Sequence, residues 1–260
     1  MSKNKLLDIL NLFIKLSINL HDDHQFRGGF SLYREEIGLD SNVLGILLSY
    51  VFVFTTIIIA TLVQKLFKLS SEFSRKIIHI VVGNWVFLAL YYFNDWRYAI
   101  IGPASFILIN YLSYRYKIFK AMELDDENLG TVYYSVSLTV LTILTFLKPN
   151  FYLLPFLGMM VMTWGDGFAA VIGKKLPIKV LRKSRSLGGS SAFIVFGFFA
   201  CAVFLYVQKF PASDATILLI AAVFPLLGAL IELFSPRNLD NLTVPISLGI
   251  FGILLERIIL

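Results

Sequence analysis

Charge is scarce in this chain. Of its 260 residues 15% are Asp, Glu, Lys or Arg and 57% are hydrophobic, with a mean hydropathy of +0.76, whereas soluble domains carry about a quarter charged residues. A water-soluble globular domain is excluded. Cysteine is nearly absent as well. The lone Cys201 sits in an apolar run, so the chain can form no internal disulfide and build no cysteine metal site. No sustained alternation of apolar and polar residues marks a barrel strand, and no internal repeat is visible. Residues 1–20 mix Lys3, Lys5, Asp8 and Lys15 into their apolar positions, so a cleavable signal is not expected.

What the chain does have is a series of separate apolar runs that reach the roughly 17 to 25 residues needed to cross a bilayer as a helix. The expected fold is all-α, a polytopic transmembrane helical bundle of about eight spans preceded by an N-terminal amphipathic helix. The spans are expected near 43–63, 77–93, 97–112, 131–147, 151–173, 190–208, 215–234 and 242–258, with interruptions at Pro155, Pro225 and Pro245. Residues 1–42 form the interfacial segment, with apolar residues at helical spacing over 5–20, and residues 43–260 form the transmembrane domain. Fourteen of the 23 Lys and Arg fall on one set of alternate loops. That side is expected to be cytoplasmic, with both termini outside.

Polar groups collect toward that same side. Residues 162–192, MTWGDGFAAVIGKKLPIKVLRKSRSLGGSSA, place Asp166 between Gly165 and Gly167, then six cations, then a glycine and serine cluster. A charged carboxylate inside a span costs about 2.5 to 3.5 kcal/mol on insertion scales unless compensated. Either a basic neighbour such as Lys174 or Arg185 pairs with it, or Asp166 holds Mg²⁺, which commonly binds through one or two carboxylates plus substrate phosphates. Gly165 and Gly167 would then leave room for close approach. Lys174, Lys175 and Arg185 can neutralise phosphate, and Ser186, Gly189 and Ser190 offer hydroxyls and N–H groups at a helix N-terminus. The stretch is not a Walker loop, because five residues separate Gly167 from Gly173 and no Ser or Thr follows Lys174.

Three further groups can join it. Arg75, Lys76 and His79 share one helical face at the start of the second span, and an ionisable histidine inside a span is a functional candidate. The acidic run at 123–128 precedes Gly130 and Thr131, which could bring backbone close to a substrate. Glu232 ends the seventh span and Asp240 with Asn241 opens the eighth; Asp240 or Asn241 could cap the last helix and Glu232 pair with Arg237, or both acids could coordinate metal or hold the basic loop.

Together these residues resemble the membrane family of CTP-dependent lipid alcohol kinases, which includes dolichol kinase, phytol kinase and the yeast-type diacylglycerol kinase. The resemblance covers about residues 70–258. It rests on R-K-x-x-H (Arg75, Lys76, His79), L-G-T-V-Y-Y at 129–134, G-D-G-x-A-A-x-x-G at 165–173 and D-N-L-T-V-P at 240–245. Where that family usually reads K-S-x-E-G-S, this chain has Arg185, Ser186, Leu187, Gly188, Gly189 and Ser190. Charge is kept at the first change and a carboxylate is lost at Gly188.

The resemblance implies transfer of the γ-phosphoryl group of CTP to a membrane lipid alcohol such as polyprenol, dolichol, phytol or diacylglycerol. It implies Mg²⁺ or another divalent cation at Asp166, with Glu232 and Asp240 as lesser ligands. Lys76, His79 and Asp166 carry the catalytic expectation, and Arg75, Lys174, Lys175, Arg185, Ser186, Gly189 and Ser190 the phosphate-binding one. The expected partners are CTP, a lipid substrate and the bilayer, with no nucleic acid and with homo-oligomerisation left open. A prokaryotic plasma membrane is expected in preference to the endoplasmic reticulum. Phosphatidate cytidylyltransferases are more distantly similar, but their longer C-terminal acidic signature is absent. A CDP-lipid-forming enzyme and a transporter are the two rival readings.

Overall fold

The computed structural model describes residues 40–118, 129–146, 152–176, 178–182, 185–236 and 238–259. The expected amphipathic helix over 5–20 and the acidic run at 123–128 lie outside the described residues. The rest is a helical bundle, as the hydropathy predicts. In order it comprises α1 (Ser41–Phe67), α2 (Ser71–Gly83), α3 (Trp85–Tyr92), α4 (Trp96–Ala99), α5 (Ile101–Tyr116) and α6 (Gly130–Phe146). After these come α7 (Pro155–Met160), a π-helical turn (Val161–Asp166) and α8 (Gly167–Lys175). A small antiparallel ribbon, β1 (Val180–Arg182) and β2 (Arg185–Ser186), leads to α9 (Leu187–Val207), α10 (Asp214–Phe234) and α11 (Asp240–Ile259).

Each of the eight expected spans has a helical counterpart. Among the described residues, six helical units are long and apolar enough to cross a membrane: α1, α2 with α3, α7 through α8, α9, α10 and α11. Of the remaining two, α6 has 17 residues and α5 has 16, with Asn110 and Ser113 buried in α5. Large apolar side chains such as Leu62, Phe199 and Leu219 remain exposed, as suits helices whose outer faces meet lipid.

The span from α7 to α8 is the most enclosed of the six, and every residue of α7 is buried. It packs against α9, α10 and α11 through a core that includes Phe156, Phe193, Phe204 and Phe224. The π-helical turn interrupts this central span and ends at Asp166. Such a bulge inserts an extra residue into the helical repeat and re-aims the side chains around it, often at functional sites.

Two expected interruptions do not occur, since α10 runs through Pro225 and α11 through Pro245. Proline lacks the N–H that would bond to the carbonyl four residues earlier. For Pro245 that carbonyl belongs to Asn241, and the buried Ser137 hydroxyl on α6 donates to it at 2.7 Å. A neighbouring helix thus meets the need that the proline creates. The Pro245 carbonyl faces Gly158, where a Cβ would stand 2.3 Å from it, so α7 and α11 touch backbone to backbone in the manner of small-residue membrane packing.

Gly158→Ala is therefore expected to force α7 and α11 apart at a cost of about 1–3 kcal/mol, measured as a lower Tm in detergent. An unchanged Tm would show that the two helices do not approach this closely.

Candidate active site

Asp166 closes the π-helical turn with its side chain 13% exposed, and the Lys76 ammonium on α2 pairs with its Oδ2. One turn beyond Lys76, the same face of α2 presents His79. Its Nε2 lies 3.7 Å from Asp166 Oδ2 and 3.2 Å from the Met162 carbonyl. A carbonyl only accepts, so this contact puts a proton on Nε2. Tyr134 of α6 packs its ring 4.2 Å from the His79 ring, donates to the His79 carbonyl at 3.2 Å and shares a 2.8 Å hydrogen bond with Thr163. Imidazole and ammonium from α2 thus meet the carboxylate of the π-helical turn, with Tyr134 of α6 packed behind the imidazole.

A second polar cluster forms around Arg185. Glycine-rich α9 begins directly after the ribbon, and Ser186 caps it by accepting from the Gly189 N–H at 3.2 Å. The ribbon turns Arg185 inward. Its Nε donates to Glu232 at 3.3 Å, Nη1 to the Ser235 carbonyl at 3.0 Å and Nη2 to Asp240 at 2.9 Å. One planar guanidinium thereby ties the end of α10 to the start of α11, a fork that an ammonium cannot reproduce. The three side chains are 10–15% exposed.

Both clusters line one cleft of about 1230 Å³ that is open to solvent. Its walls carry four carboxylates, Glu72, Asp166, Glu232 and Asp240, and four cations, Arg75, Lys76, Lys174 and Arg185, with Ser186, Gly189, Ser190 and Asn241 between them. A second space of about 880 Å³, mostly apolar, lies between α1, α2, α5 and α6 and includes His79. The two spaces share Arg75, Lys76 and Asn241. A polar cleft of balanced charge therefore opens beside an apolar one.

The chain is 31% identical over 198 residues to a phytol kinase from Synechocystis sp., a match spanning 74% of this chain and 82% of that relative. The chain belongs to the membrane lipid alcohol kinase family. No family model matches it, and no solved structure does either. Membership makes it a transferase of the kinase class, carried in a membrane by several helices.

In this lipid alcohol kinase, most of the residues picked from the sequence meet at the cleft or its border, though several do so with unexpected partners. Asp166 pairs with Lys76, not with Lys174 or Arg185. Lys174, 66% exposed at the rim, instead pairs with Glu72. Glu232 and Asp240 hold the basic loop through Arg185, one of the readings expected of them; Arg237 lies outside the described residues. Lys175 is exposed and does not line the cleft.

Gly165 and Gly167 do not provide room for substrate. A Cβ at Gly165 would meet the Phe193 carbonyl at 3.0 Å, and one at Gly167 would meet the Ile80 side chain at 2.4 Å, so both serve helix packing. Gly130 lines the apolar space and not the cleft. The N–H of Gly189 is engaged by the Ser186 cap. At Gly188 a Cβ would stand 2.2 Å from the Leu176 carbonyl, so the carboxylate usual in the family has no room here.

Two contributors were missed. Glu72 gave no signal beyond its place near Arg75, whereas Tyr134 stood in the 129–134 motif without a role.

Removing Arg185 leaves two enclosed carboxylates facing each other. Arg185→Ala is expected to destabilise the protein by about 3–5 kcal/mol, the usual penalty for breaking a buried pair. Adding Glu232→Gln and Asp240→Asn to that variant is expected to recover most of the lost Tm. A single variant that melts like the wild type would contradict the clamp.

Proposed function

We propose that this lipid alcohol kinase transfers the γ-phosphoryl group of CTP to the hydroxyl of a membrane-resident isoprenoid alcohol at the cytoplasmic face. One observation carries the reading: a cleft lined by four cations borders an apolar space at Arg75, Lys76 and Asn241. Triphosphate and hydrocarbon need opposite surroundings, and a phosphoryl transfer has to bring their reacting ends together. The phytol kinase relative supports an isoprenoid acceptor. The family resemblance supports CTP, and the distribution of Lys and Arg supports the cytoplasmic orientation.

Among the described residues no three metal-ligating side chains converge. That donor set suits Mg²⁺, which commonly takes one or two carboxylates and completes its shell with phosphate oxygens and water. Asp166 would hold it, with phosphate oxygens and water completing its shell, and Glu232 and Asp240, both engaged by Arg185, would border the ion without converging on it. Bound there, the ion would neutralise charge on the transferring phosphoryl group. Lys76 now occupies Asp166, so nucleotide binding moves the Lys76 ammonium from carboxylate to phosphate. Arg75, Lys174 and Arg185 add charge along the same wall.

In the transfer, the alcohol oxygen forms a bond to the γ-phosphorus while the bond from that phosphorus to the β,γ-bridging oxygen breaks. CDP leaves with the electron pair. The hydroxyl proton passes to His79, whose Nδ1 remains an acceptor in the neutral ring once Nε2–H is given to Met162. Positioning and charge stabilisation supply most of the acceleration in such reactions.

Purified protein given CTP, Mg²⁺ and phytol is expected to yield CDP and phytyl monophosphate. Asp166→Asn and Lys76→Met are each expected to lower kcat by about a hundredfold or more, the scale seen when one transition-state stabiliser is removed. Release of pyrophosphate with a CDP-lipid would overturn the kinase reading, and full turnover by Asp166→Asn would remove the central role of that carboxylate.

A further inference from the structure

The apolar space gives the acceptor's hydrocarbon an address. Along α2 and α3 it runs from Arg75 to Trp85, ten residues of helix or about 15 Å, close to half the roughly 30 Å thickness of a bilayer's hydrocarbon core. Its shallow end carries Lys76, Asn110 and Thr131, and its deep end Ser49, Trp85 and Gly102.

The polar groups along it are turned to one another. Asn110 donates to Ser135 at 2.8 Å and to the Thr131 carbonyl at 3.3 Å. At the deep end Trp85 donates to Ser49 at 2.8 Å, and Ser49 to the Gly45 carbonyl at 2.6 Å. A space whose polar lining is already hydrogen-bonded holds water poorly and accepts hydrocarbon. Its continuity with the cleft through Arg75, Lys76 and Asn241 means that a chain lying in it carries its hydroxyl to His79 and Asp166.

Resting on the function proposed above, we infer that this groove holds the first half of a single isoprenoid chain and that Gly102 sets how far the chain reaches in. A Cβ at Gly102 would meet only the Ser49 Cβ at 3.6 Å, an ordinary contact. A larger side chain can therefore grow into the groove without pushing backbone. Its effect falls on the part of the acceptor remote from the reacting oxygen, so it separates chain recognition from chemistry.

Two measurements test this. In the first, Gly102→Ala and Gly102→Leu are assayed with phytol and with the shorter alcohol geraniol. Gly102→Leu is expected to raise the KM for phytol relative to that for geraniol by about tenfold, the scale of losing a methylene or two of pocket contact, with a smaller effect for alanine and kcat little changed. An equal change for both alcohols would overturn the inference.

In the second, wild-type protein in lipid vesicles is photolabelled with an isoprenoid alcohol bearing a diazirine midway along its chain. Label on α1 and α5 that excess phytol competes away is the expected result. Label elsewhere, or label on these helices that phytol leaves in place, as a resident membrane lipid would, counts against the groove. Labelling is read whether or not the alcohol turns over, so a wrong groove and a wrong reaction give different results.

Discussion

Lys76 meets Asp166 across the contact between α2 and the end of the π-helical turn, and that meeting places α2 and its His79 in the site. A carboxylate in a membrane span needs compensation of several kcal/mol, and an ammonium from the adjacent helix supplies it. With α2 fixed there, His79 comes to lie one turn deeper, over the Met162 carbonyl and against Tyr134. Lys76 then stands in the wall between the polar cleft and the apolar groove.

The second half of the cleft repeats the logic with different chemistry. Arg185 spreads one charge over Glu232, Asp240 and a carbonyl, so the ends of α10 and α11 are joined by a fork and not by a point charge. Carboxylates and cations are equal in number along the cleft, and each of the four carboxylates already has a cationic partner. In the proposed reaction nucleotide would enter by exchange, phosphate taking over cations while a divalent ion took the place of Lys76 at Asp166. Such a site stays satisfied in both states, which matters where water is scarce and an orphaned charge is costly.

The helices were legible in the sequence because hydropathy reports directly on the bilayer, and Asp166, Lys76, His79, Arg185, Glu232 and Asp240 were legible because ionisable groups are rare in such helices. The hold of Glu232 and Asp240 on the basic loop was one of the readings the sequence offered, but the partner of Asp166 was not. Nearness along the chain suggested Lys174 or Arg185 for Asp166, but α8 carries Lys174 out to the rim, where Glu72 waits. Proline read as a break at 245 because its missing N–H is visible in sequence, while the compensating Ser137, 104 residues away from Asn241, is not. Gly165 and Gly167 suggested open space, and helix contact fills it. The groove is lined by residues of α1, α2, α3, α5, α6 and α11, far apart along the chain, so no local pattern announces it.

The most direct test of the account is a structure determined with a non-hydrolysable CTP analogue, Mg²⁺ and phytol bound together. The account predicts the triphosphate in the cleft against Arg185 and Lys174, the ion on Asp166, Lys76 turned from Asp166 toward phosphate, and the phytol hydroxyl beside His79 with its chain in the groove. Nucleotide bound outside the cleft, with the Lys76–Asp166 pair still intact, would contradict it.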